Sequence, residues 1–594
     1  MQLDFRNTNT LWSSVIVETL SRLGLKTAVI CPGSRSTPLT LAFASHPNIE
    51  TIPILDERSA AFFAMGIAKK NHIPTALICT SGTAGANFYP AVIEAKESQV
   101  PLLIFTADRP PELRNCHAGQ TIDQVKLYSN YCNFYTELSL PSAEIKMLSY
   151  LRQTIITAWD HSLVPYQGIA HLNCPFREPL APIFDPEIEA IYSQVIFDNF
   201  FDNVYKRDEI TLCKYNLSDY LDDWIFKPKG IIIAGVFNAK NPHLYCEQIF
   251  SLSTLLNYPI LAEALSPLRN YGQDFPNLIN TYDILLRNKK LAEELFPDVV
   301  IQIGEFPTSK QLRAWLEDSQ VEYFVLDSRP DNINPLHNKT RYIRVDIQET
   351  EIKSSKEYPA KNIDVNYLNK WHTSNKLINI NIENSLESTE NLLEAKLSFI
   401  LSKTLPSKTP IFIANSMSVR YAEFFWMPNK LELMPYFNRG ANGIEGTLST
   451  ALGIAHKGKS SILLTGDLAL LHDTNGWLIR QYFQGHLTII LINNNGGGIF
   501  EMLPIAQDDL FFENYFTTPQ NIDFSLLCKT YNIEHILIKS WTQLKHLLNP
   551  LPSIGIRVLE LQTDRKKDAL WLQYNLTKLS IIDDTTTRID SNQE

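Results

Sequence analysis

Short runs of β-branched residues and leucine recur along this chain. They alternate with longer stretches of helical period, the pattern of parallel strand–helix–strand units. Residues 11–24, LWSSVIVETLSRLG, have helical periodicity, and strands are predicted after them at 28–31, 52–55, 76–79 and 102–106. A second set falls at 230–236, 260–262, 299–303 and 323–326, and a third opens at 410–414. Within 461–503, the runs 462–464 and 487–492 bracket a helical segment, giving one further strand–helix–strand unit. The expected fold is α/β with three parallel-sheet domains. Residues 183–225 are irregular and rich in Asp, Asn, Phe and Tyr, and 352–390 are rich in Lys, Asn, Ser and Glu. Both read as linkers. The expected limits are therefore 1–182 for the first domain, 226–351 for the central one and 391–578 for the last. A polar tail at 579–594 is expected to fray.

Composition narrows the class. A chain of 594 residues is too long for one core. A net charge of −11 argues against nucleic-acid binding, and any anionic substrate then needs local arginine or lysine clusters. No apolar run reaches the length of a membrane span, so no membrane insertion is expected. Asp4 and Arg6 precede an ordinary amphipathic segment rather than a secretory signal, which points to a bacterial cytoplasm or a plastid stroma. The eight cysteines (31, 79, 116, 132, 174, 213, 246 and 528) include no Cys-x-x-Cys pair and read as reduced thiols.

The loops after the strands carry the chemistry. Strand 462–464 leads to Gly466-Asp467, and strand 487–492 leads to Asn493-Asn494-Asn495 and three glycines, with Asp467 and Asn494 27 residues apart. At the carboxyl edge of a parallel sheet, this spacing suits a hard divalent cation held by the Asp467 carboxylate, the Asn494 amide oxygen and a nearby main-chain carbonyl. Diphosphate oxygens and water would complete the octahedron. The same residues also suit a helix cap and an Asn-Gly turn. In the first domain the four loops read PGSRSTP (with Ser34 and Arg35), DERS (with Glu57), TSGTAGANF and ADRP (with Arg109).

The Gly-Asp and double-asparagine pattern resembles the metal-diphosphate signature of the thiamin-diphosphate enzymes. ICPGSRSTPL, DERSAAFFAMGIAK, TSGTAGANFYPAV, TADRPPELR, GQTIDQ and HLNCPFREPL resemble, far more specifically, the 2-succinyl-5-enolpyruvyl-6-hydroxy-3-cyclohexene-1-carboxylate synthases (MenD) of menaquinone and phylloquinone biosynthesis. The resemblance runs through most of the chain. It implies pyrimidine-binding, central and diphosphate-binding domains, with thiamin diphosphate and Mg2+ or Mn2+ as cofactors. It also implies a homodimer or dimer of dimers in which the first and third domains grip the cofactor across a subunit interface. The implied transferase reaction decarboxylates 2-oxoglutarate and adds the resulting succinyl-semialdehyde carbanion to isochorismate.

By the same resemblance, Glu57 is the buried carboxyl that drives the pyrimidine to its imino form. Ile444 wedges the cofactor into its bent shape, and Gly466, Asp467, Asn494 and Gly496 hold its diphosphate and metal. Arg35, Arg109, Gln120 and Lys310 match positions that hold isochorismate, and Ser34, beside Arg35, is a further catalytic candidate. Ser416, Arg420 and Arg439 match those around the oxoglutarate-derived portion, and Ile499, Phe500 and Leu503 complete the substrate contacts. Taken alone, Ile444 would pass for a core residue and any single arginine for a solvated one. Where some relatives carry a second basic residue after Lys310, this chain has Gln311, so Arg313 is the remaining local cation. His117 and His472 lie near motifs, but no spacing makes either a ligand or a base. Two competing readings are a thiamin-diphosphate carboligase or decarboxylase of the acetolactate-synthase kind, often with a flavin-binding central domain, and a silent binding protein on the same fold.

Overall fold

The computed structural model describes residues 3–192, 199–206, 215–317, 319–352, 364–507 and 510–581. Parts of both expected linkers and the tail from residue 582 lie outside the described residues, as does Cys213; the other seven cysteines are free thiols. Three six-stranded sheets dominate. The first contains β1 (Thr27–Ile30), β2 (Glu50–Pro53), β3 (Thr75–Cys79), β4 (Leu102–Asp108), β5 (Phe134–Glu137) and β6 (Ile169–Pro175), in the order β2-β1-β3-β4-β6-β5. A two-stranded sheet pairs β7 (Tyr215–Asn216) with β14 (Thr350–Glu351). The central sheet takes β8 (Gly230–Ala234), β9 (Ile260–Ala262), β10 (Leu278–Ile279), β11 (Val299–Ile303), β12 (Glu322–Leu326) and β13 (Thr340–Ile343), in the order β10-β9-β8-β11-β12-β13. The last takes β15 (Pro410–Ile413), β16 (Met434–Tyr436), β17 (Ser461–Gly466), β18 (His486–Asn493), β19 (Glu534–Leu537) and β20 (Gly555–Gln562), in the order β16-β15-β17-β18-β20-β19.

The first and last sheets thus share one strand order. The first two are parallel throughout, and β15 pairs in parallel with both β16 and β17. Strands β1, β3, β4 and β6 are buried along their whole length, as a parallel sheet covered on both faces requires. Among the described residues, no helix is long and apolar enough to cross a membrane.

Contacts divide the chain into two compact units. One holds 1–210, 438–458 and 469–487, and the other holds 211–437, 459–468 and 488–594. In the first, the helices Glu57–Asn71 and Thr447–Ala455 cross at two glycines. A Cβ on Gly66 would stand 2.2 Å from the Thr450 carbonyl oxygen, and one on Gly453 2.2 Å from that of Phe63. Backbone cannot yield as a side-chain tip does, so Gly453→Val should destabilise this unit by about 1–3 kcal/mol or more. A thermal melt should show a lowered midpoint; an unchanged one would mean the helices can part without cost.

Two expectations are corrected here. The stretch 352–390 is not wholly linker, because Val365–Glu387 is a helix. It buries Tyr367, Trp371, Ile378, Ile382 and Leu386, spaced on one face, in the core shared by the central and last sheets. Likewise Phe200, Phe201 and Val204, within the expected first linker, pack into the core of the first sheet. The segment between β17 and β18 is a short helix, Asp467–Leu471, followed by a 3-10 stretch, Thr474–Gln481. It breaks at Asp473, whose buried carboxylate accepts bonds from elsewhere in its unit.

Candidate active site

In sheets of these orders the chain reverses direction beside β1, β8 and β15, and ligands bind at such switch points outside the strands' carboxyl ends. At the first switch point the loops after β1 and β3 meet. The Arg35 N–H donates to Thr80 Oγ1 (3.2 Å), and its guanidinium donates to the Phe176 carbonyl (3.0 Å) and pairs with Glu178 (3.2 Å). From the loop after β4, Arg109 donates to Ser81 Oγ (2.6 Å) and to the Gly119 carbonyl (2.9 Å), while Gln120 donates to the Ser81 carbonyl (3.0 Å). Thr80 and Ser81 therefore draw Arg35, Arg109 and Gln120 together. Arg35 is buried, and its Nε has no acceptor among the described residues. Burial, and then the neighbouring Arg109 charge, hold its pKa below the ordinary value. Ser34 is exposed on the same loop.

Glu57 begins its helix after β2 and is half-buried rather than buried, since it stands at the sheet's rim. The two structural jobs open to it are done by Asp56. That residue caps the helix by accepting the Arg58 N–H (3.0 Å) and pairs with the Arg58 guanidinium (2.7 Å). Burial raises the Asp56 pKa, but Arg58 and the Asn475 amide outweigh it and hold the carboxyl at about 2. Glu57 itself makes no hydrogen bond or ion pair among the described residues. Ser59, two residues on, donates to Asp473 Oδ1 (3.2 Å), which also accepts the Ser449 hydroxyl (2.9 Å), while Asp473 Oδ2 accepts the Ser449 N–H (2.7 Å). Burial pushes the Asp473 pKa up to about 6. Glu94 does a similar job, accepting the N–H groups of Gly440 (3.0 Å) and Ala441 (2.7 Å) and so fixing the loop between Arg439 and Ile444, both half-buried.

In the other unit, β15, β17 and β18 are neighbours, and their carboxyl ends carry Ser416, Asp467 and Asn494. Ser416 sits at φ +68°, a left-handed conformation uncommon for serine, and its carbonyl accepts from Arg420 (2.6 Å) in the helix Met417–Phe425. That helix is anchored to the central sheet by Glu423, which accepts the Ala264 N–H (2.7 Å) beside the fully buried Arg269. Asp467 is buried. One oxygen accepts the Leu468 N–H (2.7 Å) and the other the Gly496 N–H (2.9 Å), and burial raises its pKa to about 6.

Asn494 donates its amide to Glu394 (2.7 Å), whereas its buried Oδ1 has no hydrogen-bond partner among the described residues. An orphaned amide oxygen and a carboxylate on adjacent strand ends fit a hard cation. The Gly496 carbonyl accepts the Gly498 N–H (2.9 Å) and keeps a second lone pair. Gly466 ends β17 in open space. The glycines after Asn495 have a use apart from any anion: a Cβ at 496 would meet the Thr517 carbonyl at 2.5 Å, and one at 497 the Phe500 ring at 2.7 Å. Ile499, Phe500 and Leu503 are half-buried in this loop, with Phe500 edge-on to Phe516.

Lys310, exposed, starts the helix Lys310–Glu317 after β11; Arg313 is exposed one turn later, and Gln311 is half-buried. The preceding loop is tied by Thr308 to Glu263 (3.0 Å) and by Ser309 to Asp283. At the central switch point a Cβ on Gly235 would lie 1.5 Å from the Glu305 carbonyl, and Val236 bridges Glu305. Protein backbone therefore fills the place where a dinucleotide fold seats its pyrophosphate. His117 and His472 are both exposed.

Three family models match: residues 12–127 match the thiamine pyrophosphate enzyme N-terminal TPP binding domain, 203–413 the middle domain of thiamine pyrophosphate, and 415–551 the thiamine pyrophosphate enzyme C-terminal TPP binding domain. The 2-succinyl-5-enolpyruvyl-6-hydroxy-3-cyclohexene-1-carboxylate synthase of Crocosphaera subtropica is 75% identical over 98% of this chain and 100% of its own. The proteins of that name from Rippkaea orientalis and Gloeothece citriformis are each 60% identical over 98% of this chain, and over 98% and 100% of their own. Matched to them over nearly its whole length, the chain belongs to the thiamine pyrophosphate enzymes and, within them, to the 2-succinyl-5-enolpyruvyl-6-hydroxy-3-cyclohexene-1-carboxylate synthase family.

Proposed function

We propose that the protein decarboxylates 2-oxoglutarate and joins the remaining four-carbon unit to isochorismate, giving 2-succinyl-5-enolpyruvyl-6-hydroxy-3-cyclohexene-1-carboxylate. The observation that carries this reading over another thiamin-diphosphate carboligase is the Arg35–Arg109 pair. Two guanidinium groups drawn together on Thr80 and Ser81, one of them buried with its proton affinity lowered by burial and by the other's charge, call for an anionic guest, and isochorismate brings carboxylates suited to their planar donors. The filled central switch point argues in the same direction, against a flavin-binding carboligase. Release of carbon dioxide from 2-oxoglutarate that depends on added isochorismate is the test; release without it, or with pyruvate alone, would favour the other carboligases.

When bound, thiamin diphosphate supplies the electron sink for 2-oxo acid decarboxylation and carbon–carbon bond formation. Asp467, the Asn494 amide oxygen and the Gly496 carbonyl would hold its Mg2+ or Mn2+, and Ile444 would press on its rings. Glu57 would give and take a proton at a pyrimidine ring nitrogen. Arg35, Arg109, Gln120 and Lys310, with Ser34 beside them, orient isochorismate, while Ser416, Arg420 and Arg439 orient the oxo acid against Ile499, Phe500 and Leu503. A cytoplasmic homodimer or dimer of dimers accords with the family's use of its first and third domains, and the domains are drawn from 1–182, 226–351 and 391–578, with Phe200, Phe201 and Val204 added to the first and the helix Val365–Glu387 added to the core of the other two.

Arg420 is assigned to the distal carboxylate of 2-oxoglutarate, the group pyruvate lacks. A hydrogen bond to a charged group contributes about 1.5–3 kcal/mol, so Arg420→Ala should lower kcat/KM for 2-oxoglutarate by about one to two orders of magnitude. Weak turnover of pyruvate should change little. The ratio of the two efficiencies cancels general damage, and equal losses for both would shift the assignment to Arg439.

A further inference from the structure

A side-chain amide has one accepting end and one donating end of nearly the same shape, so an asparagine ligates a cation only if something holds the donating end away. The Asn494 Nδ2 donates to Glu394 Oε1 at 2.7 Å. That same oxygen accepts the Thr563 hydroxyl at 3.3 Å, so it acts as an acceptor towards both. Glu394 is 3% exposed and opens the helix Glu394–Thr404, where its own N–H donates to Asp568 (3.0 Å). The Thr563 N–H in turn donates to the carbonyl of Asn493 (3.0 Å), next to the ligand residue. The contact is thus fixed from three elements, and among the described residues the buried Asn494 Oδ1 has no hydrogen-bond partner.

From this arrangement we infer that Glu394 is a positioning residue: it claims the amino end of Asn494 and so presents the amide oxygen to the divalent cation. The inference rests on the proposal that Asp467 and Asn494 hold that cation. Partners that orient metal ligands typically contribute 10–100-fold in metal affinity. Neither the helical period of 394–404 nor any motif marks Glu394, which lies 100 residues from Asn494 in sequence.

The test is a titration with Mn2+, followed by the electron paramagnetic resonance of the free ion, on full-length protein with thiamin diphosphate in excess. Glu394→Leu removes the acceptor and keeps bulk. Glu394→Ser keeps a polar helix start but cannot reach Asn494, and serves if the leucine variant fails to fold. Both should bind Mn2+ about 10–100-fold more weakly. Glu394→Gln, which retains an accepting oxygen, should stay near the parent, and kcat at saturating Mn2+ should recover in the serine variant. Asn494→Ala is the control. If it weakens Mn2+ binding while Glu394→Leu and Glu394→Ser do not, the positioning role is overturned and the ligand assignment stands. If Asn494→Ala also binds as the parent does, the ligand assignment fails and the inference falls with it.

Discussion

Replacing Glu57 by glutamine is expected to leave thiamin diphosphate and its metal bound and to abolish nearly all turnover. Glutamine keeps the length of the side chain and can still hydrogen-bond a ring nitrogen, but it cannot give and take the proton. General acid–base groups contribute about 10²–10⁴-fold, and kcat should fall by that much. The fold should be spared, because the helix cap and the Arg58 ion pair belong to Asp56 and the buried hydrogen bond of the first turn belongs to Ser59. The neighbours its charge reaches include Arg58, whose ion-pair partner is Asp56, and the buried thiols of Cys31 and Cys79, raised chiefly by burial and in part by Glu57. Exchange of the thiazolium proton of bound cofactor, measured by quenched-flow NMR, should slow in parallel with turnover. An unchanged exchange rate would remove Glu57 from the activating role.

That prediction could be drawn from the sequence because Glu57, Asp467 and Asn494 stand immediately after strands, in loops dense with glycine and hydroxyl residues, where a parallel sheet exposes its ligand edge. What holds those residues in place was not legible. Glu94, within AVIEAKE, reads as an ordinary helical acid, yet its partners Gly440 and Ala441 lie more than 340 residues away. Asp473 and Glu394 are similar single acids whose role is created by tertiary approach, and no periodicity encodes an approach. The helix Val365–Glu387 was hidden for a different reason: its buried residues keep helical spacing, but asparagine and lysine between them dilute the apolar signal to that of a linker. Edge strands such as β10 and β16 are two and three residues long, too short to show alternation. The matching strand orders of the first and last sheets emerged only with the structure, since the two share no obvious sequence identity.

Asp467→Ala should abolish magnesium-dependent binding of the cofactor. The substitution removes the anionic ligand from the assigned set and leaves neutral oxygens facing a dication. It also releases the Gly496 N–H, which Asp467 holds at 2.9 Å, so the loop carrying the third proposed ligand loses its tie to β17. Partners that merely orient a ligand contribute 10–100-fold, so loss of the ligand itself should weaken the metal by more than about 100-fold. The unliganded fold should persist, because a buried carboxylate whose pKa has risen to about 6 is a cost of desolvation rather than a source of stability at neutral pH. A ligand at 100 times its Kd stabilises the parent by about 2.7 kcal/mol. In a thermal melt with thiamin diphosphate and Mg2+ at that level, the parent midpoint should rise and the Asp467→Ala midpoint should not. A rise equal to the parent's would show that the cation is held elsewhere.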